Sequence, residues 1–179
     1  DNVNVDVIQL LHTIFKNEID INKQNNNGDT AFMIAARHSD PKIVQFFYNI
    51  FKDASGINEQ STSVFMFLVQ YAHLEVIHFL HDKFKDFLNI NKRNNDGNTA
   101  FMLAVQNTYT DVITFLFSTF KDAIDINSQN NNGNTTLMLA TQNNINEKVM
   151  EWLCDTFEDT IDINKQDCCI DVSSKKNKC

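Results

Sequence analysis

His78 and His81 stand three residues apart, close enough to share one helical face and offer two imidazoles to a metal. A zinc site needs at least one more ligand, and no cysteine lies near them in sequence. Cys154, Cys168, Cys169 and Cys179 all fall in the last 26 residues. The expectation is no metal and no cofactor. The 23 Asp and Glu side chains could in principle serve as acid and base, which requires two carboxylates in unlike surroundings. Here the carboxylates recur at equivalent positions along the chain, whereas an active site is unique. His38 beside Arg37 reads as a contact pair and not as a catalytic base. No phosphate-cradling glycine loop, G-x-S-x-G elbow or H-E-x-x-H helix is written in the sequence. These residues point to contact and hydrogen bonding, so the chain is read as no enzyme.

Composition narrows the partners. With 15 Lys and Arg against 23 acidic residues the net charge is −8, which argues against nucleic acid, because phosphate neutralisation needs clustered cations. The longest apolar runs reach six residues, as in 64–69, far short of the roughly 20 that a membrane span needs. No disulfide framework staples the first 150 or so residues, which fits a reducing compartment. The cytoplasm is the expected location, with the nucleus or a host cytosol as alternatives. Near the C-terminus Cys168-Cys169 and Lys175-Lys176-Asn177-Lys178-Cys179 hint at lipidation beside a basic patch. The prenylation pattern needs Cys where Lys176 stands. Residues 167–179 are therefore read as a disordered tail.

What must position the contact residues is a repeat. Ile-Asn pairs begin at Ile21, Ile57, Ile90, Ile126 and Ile163, spaced 36, 33, 36 and 37 residues apart. Phe15, Phe51, Phe84, Phe120 and Phe157 keep the same spacings. The strings GDTAFMIAA, GNTAFMLAV and GNTTLMLAT start at Gly28, Gly97 and Gly133. Three coincident series define units 21–56, 57–89, 90–125 and 126–162, with partial units over 1–20 and 163–166. The 25 Asn, 15 Phe, 4 Gly and 1 Pro are the composition of this period. So few Gly and Pro also argue against a many-turned β-sandwich.

Each unit reads as turn, helix, helix. Asn25-Asn26-Asn27-Gly28, Asn94-Asn95-Asp96-Gly97 and Asn130-Asn131-Asn132-Gly133 are turn signals. Thr30, Thr99 and Thr135 follow as N-caps of a short first helix. The second helix is more apolar, as in Val76-Ile77-His78-Phe79-Leu80, and ends at its series Phe. Its spacing buries one face against neighbours. His12, Tyr48, His81, Phe117 and Cys154 occupy one equivalent position on it, read as an ordinary outer-surface site.

Thr30-Ala31-Phe32-Met33-Ile34-Ala35, Thr99-Ala100-Phe101-Met102-Leu103-Ala104 and Thr135-Thr136-Leu137-Met138-Leu139-Ala140 resemble the T-P-L-H-x-A signature of the ankyrin repeat. Ala72-His73-Leu74-Glu75-Val76-Ile77 resembles the G-H-L-E-V-V that follows it, and the resemblance spans about residues 5–166. It implies an all-α solenoid of helix-turn-helix units with short β-hairpin finger loops: about four full repeats and two partial terminal ones. Three departures stand out. Ala31, Val64, Ala100 and Thr136 replace the signature Pro, and Met33, Met66, Met102 and Met138 replace its His, so methionine packing substitutes for a local hydrogen bond. The unit beginning at Ile57 reaches Ser61 in four residues, so its finger is clipped and lacks the Gly. The segment 7–15 carries Val7, Ile8, Leu10, Leu11, Ile14 and Phe15 where a terminal repeat normally turns a polar face outward. It is expected to continue into more protein upstream or to pack on something.

The resemblance also implies a function: non-catalytic binding of a partner protein or peptide on the concave face. Transferred unit by unit, the contact positions are Gln24, Asn26, Asn27, Asp29, Arg37 and His38, followed by Gln70 and Tyr71. Next come Arg93, Asn95, Asp96, Asn98, Gln106 and Asn107, and last Gln129, Asn131, Asn132, Asn134, Gln142 and Asn143. This surface is rich in amides and suits hydrogen bonding to a peptide backbone. Tyr71 and Arg37 are the expected anchors, since aromatic and Arg side chains carry most interface energy. In that family finger asparagines are also hydroxylated by an oxygen-dependent enzyme, with Asn22, Asn91, Asn127 and Asn164 as the analogous sites; turn closure is the reading preferred here. The alternative function is a regulatory or targeting segment of a larger enzyme, channel or microbial effector. A monomer is expected unless exposed cysteines or the uncapped N-terminal helix drive association.

Overall fold

Four helix pairs follow one another along the chain in the computed structural model, which describes residues 10, 13–14, 20, 23–37, 41–51, 57–142, 147–158 and 160–161. They are α1 (Ala31–Arg37) with α2 (Pro41–Phe51), α3 (Ile57–Gln70) with α4 (Leu74–Phe84), α5 (Ala100–Gln106) with α6 (Thr110–Phe120), and α7 (Thr136–Gln142) with α8 (Glu147–Thr156). First helices stack in a row, α1 on α3, α3 on α5 and α5 on α7, while α2 packs on α4. Contacts run from each unit to its neighbour, the signature of a solenoid. Among the described residues there is no strand, and a single antiparallel bridge joins Gln24 to Thr30. Of the expected helix over 7–15, Leu10, Thr13 and Ile14 are described and helical, with Leu10 and Ile14 exposed. Its other residues, Asn22, Asn164 and the tail with Cys168, Cys169 and Cys179 lie outside the described residues.

Local chemistry sets the length of the first helices. Thr30, Thr99 and Thr135 cap α1, α5 and α7, their Oγ1 atoms accepting from the backbone N–H of Met33, Met102 and Met138 at 3.3, 3.3 and 3.4 Å. At the other end of α5 the chain turns through Thr108 at φ +59°. The Tyr109 N–H donates to the Ala104 carbonyl at 3.1 Å and the Thr108 N–H to Val105 at 3.0 Å, closing a Schellman turn. Ala72 holds the same left-handed conformation after α3, at φ +56°. Glycine is the residue suited to that region, and a β-branched side chain is strained there.

Packing fills the space between pairs with the repeated hydrophobes. Phe32, Phe65, Phe101 and Leu137 are buried at equivalent positions of the four first helices, and Met33, Met66, Met102 and Met138 are buried beside them. Methionine thus does replace the histidine of the signature. The series phenylalanines lock units together: Phe120 meets Phe65 edge-on at 6.2 Å, and Phe157 meets Phe101 at 6.2 Å. The position read as outer surface is instead an aromatic seam. Tyr48 packs on Phe79 and Phe84 at 5.9 and 5.4 Å, and Phe117 packs on Trp152 and Phe157 at 4.7 and 5.7 Å. Cys154 is half-buried in the same row.

The clipped unit departs furthest from expectation. Ile57 does not open a finger; it opens α3, which runs 14 residues where the other first helices run 7. A compensating contact keeps the stack in register. In the units with fingers, Asn91 Nδ2 donates to the Ala123 carbonyl at 2.6 Å while Asn91 Oδ1 accepts from the Asp125 N–H at 3.0 Å. Asn127 Nδ2 likewise donates to the Thr160 carbonyl at 2.6 Å. In the fingerless unit Thr62, on α3, performs the same clasp. Its hydroxyl donates to the Phe87 carbonyl at 3.3 Å and accepts from the Asn89 N–H at 3.1 Å. Asn91 and Asn127 therefore tie the start of a unit to the linker at its end, where the sequence reading had them closing turns.

Two stability changes follow. Thr62→Val keeps the shape but strands a carbonyl and an amide, and should cost about 1–3 kcal/mol, read as a lower urea midpoint. Thr108→Gly should raise stability by about 0.5–1 kcal/mol, the relief of left-handed strain less the glycine's chain entropy; an unchanged or lower midpoint would contradict the strain.

Candidate partner-binding surface

The fingers are built by asparagine acting on its own backbone. Asn25 Oδ1 accepts from the N–H groups of Asn27 and Asp29, both at 2.9 Å. Asn94 does the same for Asp96 and Asn98 at 3.0 and 2.9 Å, and Asn130 for Asn132 and Asn134 at 3.0 Å each. A backbone pair closes each loop, as between the Asn94 N–H and the Asn98 carbonyl at 2.9 Å. The three glycines sit at φ +84°, +79° and +78°, a conformation that the finger tip requires and other residues resist.

Neighbouring fingers then pair with each other. The Asn131 N–H donates to the Asp96 carbonyl at 2.9 Å, and Asn131 Nδ2 donates to the Asn95 carbonyl at 2.8 Å. Asn130 Nδ2 donates to Asn98 Oδ1 at 2.9 Å in a buried contact. Arg93 threads the rung, giving Nε to the Gly97 carbonyl at 2.9 Å and a terminal nitrogen to Asn131 Oδ1 at 3.3 Å.

This ladder sorts the expected contact residues into two groups. Asn98 is 6% exposed and spent on Asn130, so it faces its neighbour and not solvent. Arg93, Asn131 and Gln129 are exposed but tied, Gln129 through Nε2 to the Gly133 carbonyl at 3.0 Å. Asn107 Nδ2 folds back on the Leu103 carbonyl at 2.8 Å, and Gln142 reaches Asn134 at 3.4 Å. Gln24, Asn26, Asn27, Asn95, Asp96 and Asn132 are exposed finger residues, and Asp29 and Asn134 are half-buried. Arg37, Gln70, Tyr71 and Gln142 are exposed at the ends of the first helices, with Gln106 half-buried. His38 and Asn143 lie outside the described residues.

Two neighbours of Tyr71 escaped the sequence reading. Its ring lies 4.9 Å from that of Phe67 and stacks on His73 at 6.3 Å and 14°. His73 Nε2 in turn lies 3.1 Å from the Arg37 carbonyl oxygen. The three rings and the Arg37 main chain form one patch across two units, with Tyr71 39% exposed. The signal was present: Phe67 is aromatic where Ile34, Leu103 and Leu139 are aliphatic.

The histidines that opened the chemical search are packed against rings. His78 lies 4.3 Å from Phe115, and His81 lies 5.7 Å from Phe115 and 5.5 Å from Phe120. Among the described residues no group of three His, Cys, Asp or Glu is placed to hold a metal ion. No helix among them is long and apolar enough to cross a membrane.

Residues 65–167 match the family model of ankyrin repeats (3 copies), and residues 4–47 match that of ankyrin repeats (many copies). The first match alone covers more than half of the chain, and the chain belongs to the ankyrin-repeat family. A comparison with curated proteins found no match.

The ladder carries its own stability test. A Cβ on Gly97 would collide with Asn131, its backbone nitrogen included, whereas at Gly28 and Gly133 it meets none of the described residues within 4 Å. Gly28→Ala and Gly133→Ala should each cost only the left-handed strain, about 1–2 kcal/mol. Gly97→Ala should cost at least about 1 kcal/mol more, because rigid backbone must move. Equal losses at the three glycines would contradict a packed rung between the third and fourth fingers.

Proposed function

We propose that this ankyrin-repeat chain is a non-catalytic binding module that holds a partner protein or peptide on the face made by its fingers and first helices. Ankyrin repeats are protein–protein interaction modules, and the amide-rich fingers supply donors and acceptors suited to main-chain recognition. The observation that carries the reading is the Tyr71 patch. A half-exposed tyrosine braced by Phe67 and His73, beside Arg37, has the composition and rigidity of an interface hot spot. The ring is held before binding, so little conformational entropy is lost when a partner covers it. The proposed contact surface comprises Arg37, Gln70, Tyr71, Gln106 and Gln142 with the finger residues Gln24, Asn26, Asn27, Asp29, Asn95, Asp96, Asn132 and Asn134. Asn98 is left out because it is buried in the ladder. Operation in a reducing compartment such as the cytoplasm is supported by a repeat array whose first 153 residues hold no cysteine.

The test is quantitative capture with wild type and Tyr71→Ala side by side, followed by affinity measurement on the protein recovered. Loss of an interface tyrosine of this kind should weaken binding by about 1–2 kcal/mol or more, while circular dichroism and urea midpoint stay near wild type. A partner held equally well by Tyr71→Ala and Arg37→Ala would overturn the placement.

A further inference from the structure

The rung between the third and fourth fingers defines what a complete rung contains. Toward its C-terminal neighbour the third finger offers mostly acceptors, the carbonyls of Asn95 and Asp96 and Oδ1 of Asn98, with Arg93 as its one donor. Toward its N-terminal neighbour the fourth finger offers the donors Asn131 N–H, Asn131 Nδ2 and Asn130 Nδ2, with Asn131 Oδ1 accepting from Arg93. The same polarity applied to the unit of α3 leaves an open rung. By equivalence of position the acceptors on its first-finger side are the Asn26 and Asn27 carbonyls and the Asp29 carboxylate, and the donors on its third-finger side are the Asn95 N–H, Asn95 Nδ2 and Asn94 Nδ2. None of these groups has a hydrogen-bond partner in the described protein.

Two independent features agree that a finger is missing there. Five residues join Phe51 to Ile57, against fourteen between Phe84 and Thr99 and fourteen between Phe120 and Thr135. The clasp to the linker that closes the unit comes from Thr62 on α3 and not from an asparagine at a finger base. With α1 and α5 both packed on α3, the two flanking fingers stand two helix spacings apart, roughly 20 Å at about 8–10 Å each, twice the interval between the third and fourth fingers.

The geometry points to the open rung as a docking slot for an exposed β-turn of a partner protein, one that completes the ladder in the manner of the fourth finger. Such a turn donates a main-chain N–H and a side-chain amide or ammonium to the first finger, and its own carbonyls accept from Asn94 and Asn95. Asp29 stands where the third finger has Asn98. The filled rung places a donor, Asn130 Nδ2, opposite that position, and a carboxylate accepts such a donor more strongly than an amide oxygen does. The slot therefore selects turns with Asn, Lys or Arg at that point and rejects Asp or Glu. This inference rests on the reading that the finger face binds protein, and it specifies where on that face the partner's backbone is read.

The probe is a cyclic peptide of residues 129–135 closed by added terminal cysteines, titrated into the full chain labelled with 15N. Expected are joint shifts of the Gly28 and Asn95 backbone amides and of the Asn94 and Asn95 side-chain amides. Asp29→Ala should weaken the interaction roughly tenfold. A chimera with residues 57–63 replaced by the sequence of 90–99 fills the slot with a finger and should abolish the shifts while retaining the helical spectrum. Several outcomes overturn the slot: no shift at millimolar peptide, shifts confined to Tyr71 and Arg37, equal binding by the chimera, or a concentration-dependent dimer that moves the same resonances without peptide. A partner lost on Tyr71→Ala yet bound unchanged by the chimera would sink the slot and leave the protein-binding role of the face standing.

Discussion

One contact recurs in the units that begin at Ile57 and Ile90: a side chain near the start of the unit donates to a carbonyl of the linker at its end and accepts from the N–H two residues further on. Asn91 makes it across 32 and 34 residues of chain, and Thr62 makes it across 25 and 27. The linkers after two of the second helices are extended at Leu88 and Ile124, so the carbonyl before that residue and the N–H after it are left to the clasp. Unpaired, each such group would carry a desolvation penalty wherever the stack covers it. The clasp removes that penalty and fixes the spacing of the units. Ring contacts such as Phe65 with Phe120 and Phe101 with Phe157 supply most of the attraction, but they are tolerant of small slides. Hydrogen bonds with paired donor and acceptor are not.

Once the spacing is set, the asparagine excess resolves into three jobs. Asn25, Asn94 and Asn130 shape single fingers through their Oδ1 atoms. Asn130 and Asn131 join one finger to the next, and Asn91 and Asn127 clasp the linkers. Each job needs a short side chain; the finger-shaping one uses its acceptor, the other two its donor, and Asn91 and Asn130 use both at once. Aspartate serves where only an acceptor is used, as Asp125 does toward the Asn127 N–H and the Ser128 hydroxyl. Threonine serves where helix geometry already brings a hydroxyl to the linker.

The period, the caps at Thr30, Thr99 and Thr135 and the buried methionines were legible in the sequence because each depends on residues near one another in the chain. The role of Asn91 was not, since its partners lie a whole repeat away and an asparagine next to a turn looks the same whichever bond it makes. The same holds for Asn98. Asn95 and Asp96 of the same finger are exposed, and Asn98 is bonded to Asn130 of the adjacent finger, 32 residues on. Residues 57–63 were half read for another reason. The missing Gly marked the finger as clipped, but the periodic Ile-Asn kept the segment a finger, whereas it extends into a helix. The tyrosine patch was half visible: Tyr71 stood out as an exposed aromatic, while Phe67 hid within an apolar stripe that only stacking could show to reach the surface.

The fingerless unit shows how a repeat array can change its surface without losing its stack. Fingers contribute rungs to one another, and the stack as a whole rests on helices and clasps. Removing a finger therefore leaves the helix row intact, provided something else takes over the clasp, and Thr62 does so from within α3. What is lost is pairing for the fingers on either side, and those groups stay polar and oriented, because Asn25 and Asn94 still hold their own loops. Preorganised donors and acceptors that are already fixed in place bind at low entropic cost. An interruption in the ladder is thus a different kind of surface from a smooth concave face: it reads backbone directionally, with acceptors on one wall and donors on the other. Tyr71 lies at the opposite end of the same helix α3, so a partner turn seated between the fingers and an apolar side chain seated on Tyr71 would be joined through one rigid element.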